Sequence, residues 1–266
     1  MTEVIIVGDA AQGGRLVAEA VWSLVARRAE AVLGLATGSS PLPVYDALRD
    51  HASRLAGVRG FALDEYVGLP PGHPQSYRAV IDREVVQPLG LDPARVRVPG
   101  DDIARRLASG DSRALAEAGE RYETELDRVG GVDLQLLGIG STGHIGFNEP
   151  GSSFASRTRM KTLTERTRSD NARFFSSPDE VPMHCITQGL GTIGRSRHLV
   201  LLAFGAQKAR AIAEAVEGPV TSAHPASAIQ LHPRVTVVVD EAAASRLRFA
   251  DYYRHAWANK PEWQEL

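Results

Sequence analysis

Three short segments of the chain carry residue types that can do acid–base chemistry or bind an anion. The most informative is 132–151, VDLQLLGIGSTGHIGFNEPG, an apolar run that opens into glycines and then supplies His144 and, five residues later, Glu149. A carboxylate near a histidine fixes its tautomer and raises its basicity, which suits proton transfer near neutral pH. Gly143 and Gly146 relieve steric limits around the imidazole. We therefore predict an active-site loop with His144 and Glu149 as its acid–base pair.

The second segment, LGLATGSSPLPVYDAL, places three hydroxyls and a glycine between a buried strand and a helix. Ser40 suits the N-cap position and Pro41 suits the first helical turn. We predict an anion site here. It would consist of free backbone amides, the positive end of the helix dipole and the hydroxyls of Thr37, Ser39 and Ser40, and phosphate is the expected ligand. An ordinary strand-to-helix turn is the alternative interpretation of this segment by itself.

The third segment, GFALDEYVGLP, puts Asp64 and Glu65 side by side at the end of a predicted strand. Because side chains alternate along a strand, we expect only one of the two to face a ligand, and we assign Asp64 as a general base. An acidic pair in a loop is also typical of a solvated turn or a helix cap. The histidines other than His144, such as His51 and His255, are interpreted as structural.

The elements that would position these segments alternate between β-branched runs and amphipathic stretches. The predicted strands are 3–7, 31–36, 58–63, 95–98, 132–137, 198–204, 228–231 and 235–239, and the predicted helices are 10–29, 41–55, 74–86, 111–129 and 206–216. The region 152–182 is rich in Arg, Ser and Thr and has a weak pattern, and we expect it to form a lid or a lobe over the site.

This alternation predicts an α/β fold, a Rossmann-like three-layer α/β/α sandwich with a mostly parallel sheet, and a single domain over 1–266. Ligands of such sheets bind at the carboxyl ends of the strands. All three segments follow predicted strands, so their loops should meet in one crevice. The residues by themselves indicate an enzyme with an anion pocket, a carboxylate base and a His/Glu pair, acting on a phosphorylated small molecule.

Composition excludes several other classes of function. With 30 Lys+Arg against 32 Asp+Glu the net charge is -2, so the overall charge does not favour binding to nucleic acid or to an anionic membrane surface. Cys185 is the sole cysteine, which excludes an intrachain disulfide and a multi-thiolate metal site. The first residues, MTEVIIVGDA, have no basic n-region, and no segment approaches the roughly 20 apolar residues of a membrane span. We expect a cytoplasmic protein.

Nearly the whole chain resembles the glucosamine-6-phosphate deaminase family, also called glucosamine-6-phosphate isomerases. The matching blocks, in family order, are LATGSSP, LDEYVGL with HPQSY, GHIGFNEPGSS, SRTRMKTLT, NARFF, VPMHCITQGLGTI, GAQKA, AVEGPVT and PASAIQLHP. The resemblance implies the same fold and the conversion of glucosamine 6-phosphate and water into fructose 6-phosphate and ammonia. It also implies that no metal or organic cofactor takes part.

The resemblance assigns a role to each of the predicted site residues. Asp64 matches the base that moves a proton between C2 and C1 of the open-chain sugar. His144 matches the acid–base group that opens the sugar ring, and Glu149 matches its supporting carboxylate.

A second set of positions matches the family's site for the substrate phosphate. Gly38, Ser39 and Ser40 match the phosphate loop, and Arg173 in NARFF and Lys208 in GAQKA match its cationic clamps. A guanidinium fork and a compact ammonium are a suitable pair for a phosphate dianion.

One position departs from the family. Many members carry Asp, and some Asn, immediately before the GHI tripeptide, where this chain has Thr142. A threonine hydroxyl can hydrogen-bond to the histidine but adds no negative charge, so the imidazolium form of His144 should be less favoured. We predict a shifted pH optimum or slower ring opening.

The resemblance also implies regulation in the hexameric members of the family. Ser152, Arg159 and Lys161 match positions that bind the allosteric effector N-acetylglucosamine 6-phosphate, and a homo-oligomer would accompany that site. The alternative is a surface basic pair with no effector. The tyrosine that those members use near the carboxyl terminus has no clear register in DYYRHAW, where Tyr252, Tyr253 or Arg254 could occupy it.

Three other functions stay open at the level of sequence. A galactosamine-6-phosphate deaminase differs only in substrate stereochemistry, which the sequence does not reveal. A 6-phosphogluconolactonase shares the Gly-His motif but not its continuation as GFNEP. A sugar-phosphate sensor without turnover would usually carry a DNA-reading helical domain, for which there is no spare segment. Retention of Asp64, His144 and Glu149 together favours catalysis.

Overall fold

A seven-stranded sheet organises the chain in a computed structural model that describes residues 2–261, 263–264 and 266. In this part of the chain the strands are β1 (Thr2–Val7), β2 (Val32–Leu35), β3 (Arg59–Ala62), β4 (Asp64–Val67), β5 (Val96–Arg97), β6 (Leu134–Leu137), β7 (Arg159–Thr162), β8 (His184–Thr187), β9 (Leu199–Ala203) and β10 (Val235–Asp240). Seven of them form the main sheet in the order β1-β10-β9-β6-β2-β3-β5. Every neighbouring pair in it is parallel, which confirms the predicted sheet type.

Helices flank this sheet and complete the predicted three-layer α/β/α sandwich. Within the described residues they are α1 (Ala10–Arg27), α2 (Leu42–Leu48), α3 (Tyr77–Ile81), α4 (Gln87–Leu89), α5 (Ile103–Ala108), α6 (Ala114–Arg128), α7 (Glu165–Asn171), α8 (Leu190–Ile193), α9 (Ala209–Glu217), α10 (Glu241–Ala244) and α11 (Ala250–Ala258). Among them is no helix that is both long and apolar enough to cross a membrane.

The central strands are buried on both faces, as expected when helices cover a parallel sheet on both sides. Every residue of β6 and of β9 is buried. The first helix shows the matching pattern, because Val17, Val21 and Val25 lie on its buried face. Asp9 caps this helix by accepting a hydrogen bond from the Gln12 amide at 2.7 Å.

A second, antiparallel sheet of three strands, in the order β4-β8-β7, lies beside the first. The chain passes between the two sheets at Leu63. Its amide donates to Leu35 O (3.0 Å), and its carbonyl accepts from the Gln188 amide (2.8 Å). Asp64 begins β4 and therefore stands where the sheets meet. This three-stranded sheet and α7 form the lobe, to which the region 152–182 contributes β7 and α7.

One predicted strand is wrong. Residues 228–231 lie in the 3₁₀ segment Pro225–Leu231 and not in the sheet. A short apolar run cannot be assigned by periodicity alone. Here Pro225 fixes the local backbone, and Ser227 both accepts from the Thr221 amide (2.9 Å) and donates to the Thr221 carbonyl (3.0 Å), which closes a local turn.

Other elements differ in extent from the prediction or were missed. The predicted helix 41–55 ends as an α-helix at Leu48 and continues as the 3₁₀ segment Arg49–Leu55. The predicted helix 74–86 begins at Tyr77 after a Ser76 cap and runs through a π-helical turn into α4. The strands β7 and β8 and the helix α11 were not predicted, because RMKT and HCIT are not continuous apolar runs and α11 has no buried residue to mark a face.

A buried carboxylate fastens the lobe to the main layer. Glu123 of α6 is 3% exposed and accepts from the amide and hydroxyl of Thr158, just before β7, at 2.8 and 2.6 Å. Its carboxylate also accepts from Thr192 of α8 and pairs with Arg157 and Arg195. One helix residue thus fixes the entry to β7 and the neighbouring α8.

Replacing this carboxylate should destabilise the protein. Glu123→Ala leaves two buried hydroxyls and a buried amide without an acceptor, so we expect a loss of about 3 kcal/mol in the free energy of unfolding. Glu120→Ala, on the exposed face of the same helix, is the matched control and should change it by less than about 0.5 kcal/mol. Urea denaturation measures both, and equal stability of the two variants would contradict the assignment.

Candidate active site

The loop that leaves β6, residues 138–149, is the centre of the site because each predicted functional segment contacts it. An added Cβ at Gly138 would lie 3.7 Å from Cβ of Ser40, and Ile139 O accepts a hydrogen bond from Lys208. At the far end of the loop, an added Cβ at Gly146 would lie 3.6 Å from Asp64 Oδ2. The predicted segments therefore meet at the carboxyl edge of the sheet, where ligands of parallel sheets bind.

His144 packs against its own loop. An added Cβ at Gly140 would come within 2.2 Å of the imidazole, so only glycine allows the ring to lie there. The Gly140 amide donates to the His144 carbonyl at 2.9 Å, and the Gly143 amide donates to the Gly140 carbonyl at 3.0 Å. Gly143 has φ +76°, in the left-handed region that favours glycine. The ring keeps 17% of its side-chain surface exposed, which leaves one side open to a ligand.

Thr142 lies between the histidine and the carboxylate. Its hydroxyl is 2.9 Å from His144 Nδ1 and donates to Glu149 Oε2 at 3.3 Å, while Nδ1 itself is 3.5 Å from that oxygen. A hydroxyl whose proton goes to Glu149 can only accept from Nδ1–H. In this arrangement Nε2 of a neutral imidazole carries the free electron pair.

Glu149 is buried and held as an anion. Its carboxylate accepts from the hydroxyls of Thr167 and of Thr164 (3.2 Å), in addition to that of Thr142. Burial raises the pKa of Glu149, but His144 and the hydroxyls of Thr167 and Thr164 outweigh it and lower that pKa to about 2. Glu149 therefore stays ionised throughout the neutral range.

The acidic pair divides its tasks between structure and ligand. Both oxygens of Glu65 are taken by backbone amides, namely those of Tyr66 (2.7 Å), Tyr77 (2.8 Å) and Arg78 (2.8 Å) at the start of α3. Asp64 is 6% exposed and turns toward the β6 exit loop. Burial, together with the neighbouring charge of Glu65, raises the pKa of Asp64 to about 8.

The predicted anion loop lies at the entrance to α2. Gly38 has φ +85° and an exposed, open Cα, and Ser39 is exposed beside it. The predicted cap is wrong by one residue, because Pro41 occupies the N-cap position and no side chain of the described residues caps α2. The physical reason is that the carbonyl of Pro41 accepts the first helical hydrogen bond, from the Val44 amide at 2.9 Å.

The two predicted cations lie near each other on different elements. Lys208 ends the 3₁₀ segment Ala206–Lys208 and donates from Nζ to Ile139 O at 2.6 Å. Burial and the charge of Arg173 lower the pKa of Lys208, and Asp170 opposes this shift. The Arg173 guanidinium is exposed and stacks over Phe174 at 4.7 Å.

Of the three predicted effector residues, two are in contact. Arg159 of β7 donates to Ser152 Oγ at 3.4 Å and, more closely, to Asn148 Oδ1 at 2.7 Å. Lys161 follows two residues later on the same face of β7. Arg159 thereby contacts Asn148, the residue that precedes Glu149 in the β6 exit loop.

Several contacts of the site were absent from the sequence prediction. Thr164 and Thr167 hold Glu149, and the signal for them was the run TLTERT, whose hydroxyls follow β7. Asn148 is fully buried and donates to Ile145 O (2.9 Å) and Gln188 O (2.8 Å). Their long sequence separation from Glu149 or from β8 hides these contacts from pattern analysis.

A separate concavity of about 260 Å³ lies at the opposite edge of the sheet, where His198 and Arg234 precede β9 and β10. Burial and the charge of Arg234 lower the pKa of His198 there to about 3, so its imidazole is neutral and bonds to Thr236 Oγ1 at 2.9 Å. Across the described residues, no group of three or more His, Cys, Asp or Glu could hold a metal ion.

Sequence comparison shows close relatives along the whole chain. A protein named glucosamine-6-phosphate deaminase from Bifidobacterium longum is 58% identical over 272 residues, which cover 100% of both chains. One of the same name from Streptomyces coelicolor is 58% identical over 269 residues, covering 99% of this chain and 100% of the relative.

Solved structures of deaminases and lactonases are similar to this chain as well. A structure described as a monomeric glucosamine-6-phosphate deaminase has a TM-score of 0.84 and 38% identity, and the match covers 92% of this chain and 99% of that one. The 6-phosphogluconolactonase of Trypanosoma brucei has a TM-score of 0.74 over 93% of this chain and 99% of that one, but 19% identity, which shows the fold alone. The family profile described as glucosamine-6-phosphate isomerases/6-phosphogluconolactonase matches residues 9–238. The chain belongs to this family of glucosamine-6-phosphate isomerases and 6-phosphogluconolactonases.

Proposed function

We propose that the protein is a glucosamine-6-phosphate deaminase of amino-sugar catabolism, which converts glucosamine 6-phosphate and water into fructose 6-phosphate and ammonia. The observation that carries the proposal is the meeting of Asp64, His144 and the Ser40 and Lys208 segments on one loop. The full-length relatives that bear this name support it.

The phosphate group would bind at the mouth of the crevice. The backbone of Gly38 and the hydroxyls of Ser39 and Ser40 offer donors, and Lys208 and Arg173 supply positive charge. Burial and the charge of Arg173 lower the pKa of Lys208, and a phosphate dianion bound beside it would raise that pKa again. Such a fixed phosphate would orient the rest of the sugar along the β6 exit loop.

Ring opening would use His144. The tautomer set by Thr142 directs Nε2 toward the ligand, where it can take the proton of the C1 hydroxyl and return it to the ring oxygen. The ionised Glu149 stabilises the imidazolium that forms between these steps.

Isomerisation would then use Asp64. The carboxylate takes the proton from C2 of the open-chain sugar and returns it to C1, while the amino nitrogen gives up one proton and the C1 oxygen gains one, which leaves an imine at C2 and a hydroxyl at C1. Water adds to that imine and ammonia leaves, giving the ketone of fructose 6-phosphate. A pKa raised to about 8 makes Asp64 a far stronger base than an exposed aspartate when it is ionised.

The proposal is tested by measuring ammonia and ketose release from glucosamine 6-phosphate, with galactosamine 6-phosphate and 6-phosphogluconolactone in parallel. Ammonia from the glucosamine substrate alone supports it. Faster turnover of the galactosamine epimer would change the substrate, and lactone hydrolysis alone would change the reaction. Binding of sugar phosphates without any turnover would make the protein a sensor.

Regulation by N-acetylglucosamine 6-phosphate is a second part of the proposal, at Ser152, Arg159 and Lys161. What supports it is the contact of Arg159 with Asn148, because a phosphate that drew Arg159 away would act next to Glu149. Saturation curves that change from sigmoid to hyperbolic with effector support it, and hyperbolic curves in both conditions reject it. Sedimentation decides between a homo-oligomer and the monomer described for the 38% identical relative.

We further propose that residues 1–266 act as one domain in the cytoplasm. One continuous hydrophobic core that includes residues from Val4 to Leu247 supports the single domain. A substrate with a phosphate dianion does not cross a lipid bilayer unaided, which supports an internal location.

Asp64→Asn should lower kcat by a factor of about 10³ while phosphate-dependent binding persists, because the amide keeps the shape but cannot take a proton. In the native protein, kcat/KM should rise with pH and level off above about 8, since the base works only when ionised and its pKa is raised to that value. The exposed Asp251→Asn variant is the control and should keep native rates. Near-normal turnover by Asp64→Asn would remove Asp64 from this role.

Thr142 should matter through its hydroxyl. Thr142→Val keeps the shape but loses both hydrogen bonds, so we expect kcat to fall by about 10-fold, whereas Thr142→Ser should retain most of the native kcat.

Thr142→Asp places a negative charge beside His144, so the pH–rate profile should shift toward higher pH. Rates measured from pH 6 to 9 check these variants, and an unchanged profile for Thr142→Asp would refute the electrostatic argument.

A further inference from the structure

His224 is a buried histidine for which the mechanism above has no use. It immediately precedes the 3₁₀ segment Pro225–Leu231 and is 8% exposed. An added Cβ at Gly143 would come within 2.2 Å of its Cε1, so the imidazole lies directly on the residue before His144. Next to it, the Ala226 amide donates to the Gly143 carbonyl at 2.8 Å. The catalytic turn is therefore held at one point by a ring and by a backbone hydrogen bond.

The two nitrogens of the same ring are fixed to α9. Nε2 lies 2.9 Å from Ala211 O, and Nδ1 lies 3.0 Å from Glu214 Oε2. Both oxygens can only accept, so both contacts are hydrogen bonds when each ring nitrogen carries a proton. Glu214 is itself oriented by Arg210, whose Nε donates to it at 2.8 Å. The imidazole joins the helix that follows Lys208 to the turn that precedes His144.

A displacement at Gly143 would reach the reacting nitrogen through few bonds. The Gly143 amide donates to the Gly140 carbonyl, and the Gly140 amide donates to the carbonyl of His144. Gly140 also lies under the His144 ring. If the turn shifted, the imidazole would move relative to Glu149, and a misplacement of about 1 Å is enough to slow a reaction that depends on orientation.

We infer that His224 is a positioning residue for His144: its imidazole, bonded to Ala211 and Glu214, holds the 140–143 turn where His144 reaches both Glu149 and the sugar. This inference rests on the proposed function, since ring opening is the step that His144 would perform. His224 itself touches neither substrate nor reacting atoms.

A purely structural histidine is the competing explanation, and His232 offers a matched comparison. It is also 8% exposed, and its ring nitrogens lie 2.8 Å from Arg234 O and 2.7 Å from Ser196 O. Both partners precede strands, β10 and β9, so this histidine lies at the edge of the sheet opposite the catalytic loop. Loss of its hydrogen bonds should affect stability alone.

The test compares His224→Phe with His232→Phe, because phenylalanine keeps a planar ring of similar size and cannot bond to either partner. We expect kcat for ammonia release to fall by about 10-fold in His224→Phe with KM changed less than about 2-fold. We expect the two variants to lower the melting temperature by similar amounts, but we expect His232→Phe to keep the native kcat. His224→Gln, which retains an amide donor, should recover part of the lost kcat.

A kcat for His224→Phe within twofold of native, or an equal loss in His232→Phe, would overturn the inference. Should His224→Phe not fold, Glu214→Ala replaces it, since this partly exposed carboxylate holds the ring from outside. We expect Glu214→Ala to lower kcat by about 3-fold, and native kcat would equally overturn the role. Failure of the native protein to release ammonia would refute the proposed function instead, so the two failures are distinguishable.

Discussion

The close contact between side chains and the bare backbone of the β6 exit loop is the constraint on which the site depends. The His144 ring lies on Gly140 from one side, and the His224 ring lies on Gly143 from the other. A methyl group at either position would overlap an imidazole, so the loop can be this compact only with glycine. This compactness allows the single loop 138–149 to contact Ser40, Lys208 and Asp64 together.

The site also depends on two carboxylates whose environments act in opposite directions. Glu149 is surrounded by hydroxyls and the imidazole, which hold its pKa near 2 despite its burial. Burial, together with the smaller effect of the neighbouring charge of Glu65, raises the pKa of Asp64 to about 8. One carboxylate is therefore a permanent counter-charge and the other can exchange a proton near neutral pH. That separation is what an acid–base mechanism on one sugar requires.

The second sheet explains how an exit loop on the main sheet obtains these environments. β4 carries Asp64 out of the main sheet, and β8 returns beside it with Thr187, whose hydroxyl accepts from the Phe147 amide at 3.1 Å. The lobe thus borders the β6 exit loop directly. Its threonines reach Glu149, and its Arg159 reaches Asn148, so the lobe supplies the polar groups that the apolar main sheet lacks.

The sequence by itself determined the main sheet and the loops that carry chemistry. Buried parallel strands and amphipathic helices leave long periodic patterns, and ligand loops must follow the strands at their carboxyl ends. The sequence could not assign the strands β7 and β8, because RMKT and HCIT lack the continuous apolar run of the main strands. It misassigned 228–231, because a short apolar run does not distinguish a strand from other buried segments. Only the tertiary structure decided that backbone amides bind Glu65 and leave Asp64 for a ligand. It also decided which threonines donate hydrogen bonds to Glu149 and which histidine packs against Gly143. Those choices depend on burial and on hydrogen bonds between residues distant in sequence, which no local pattern records.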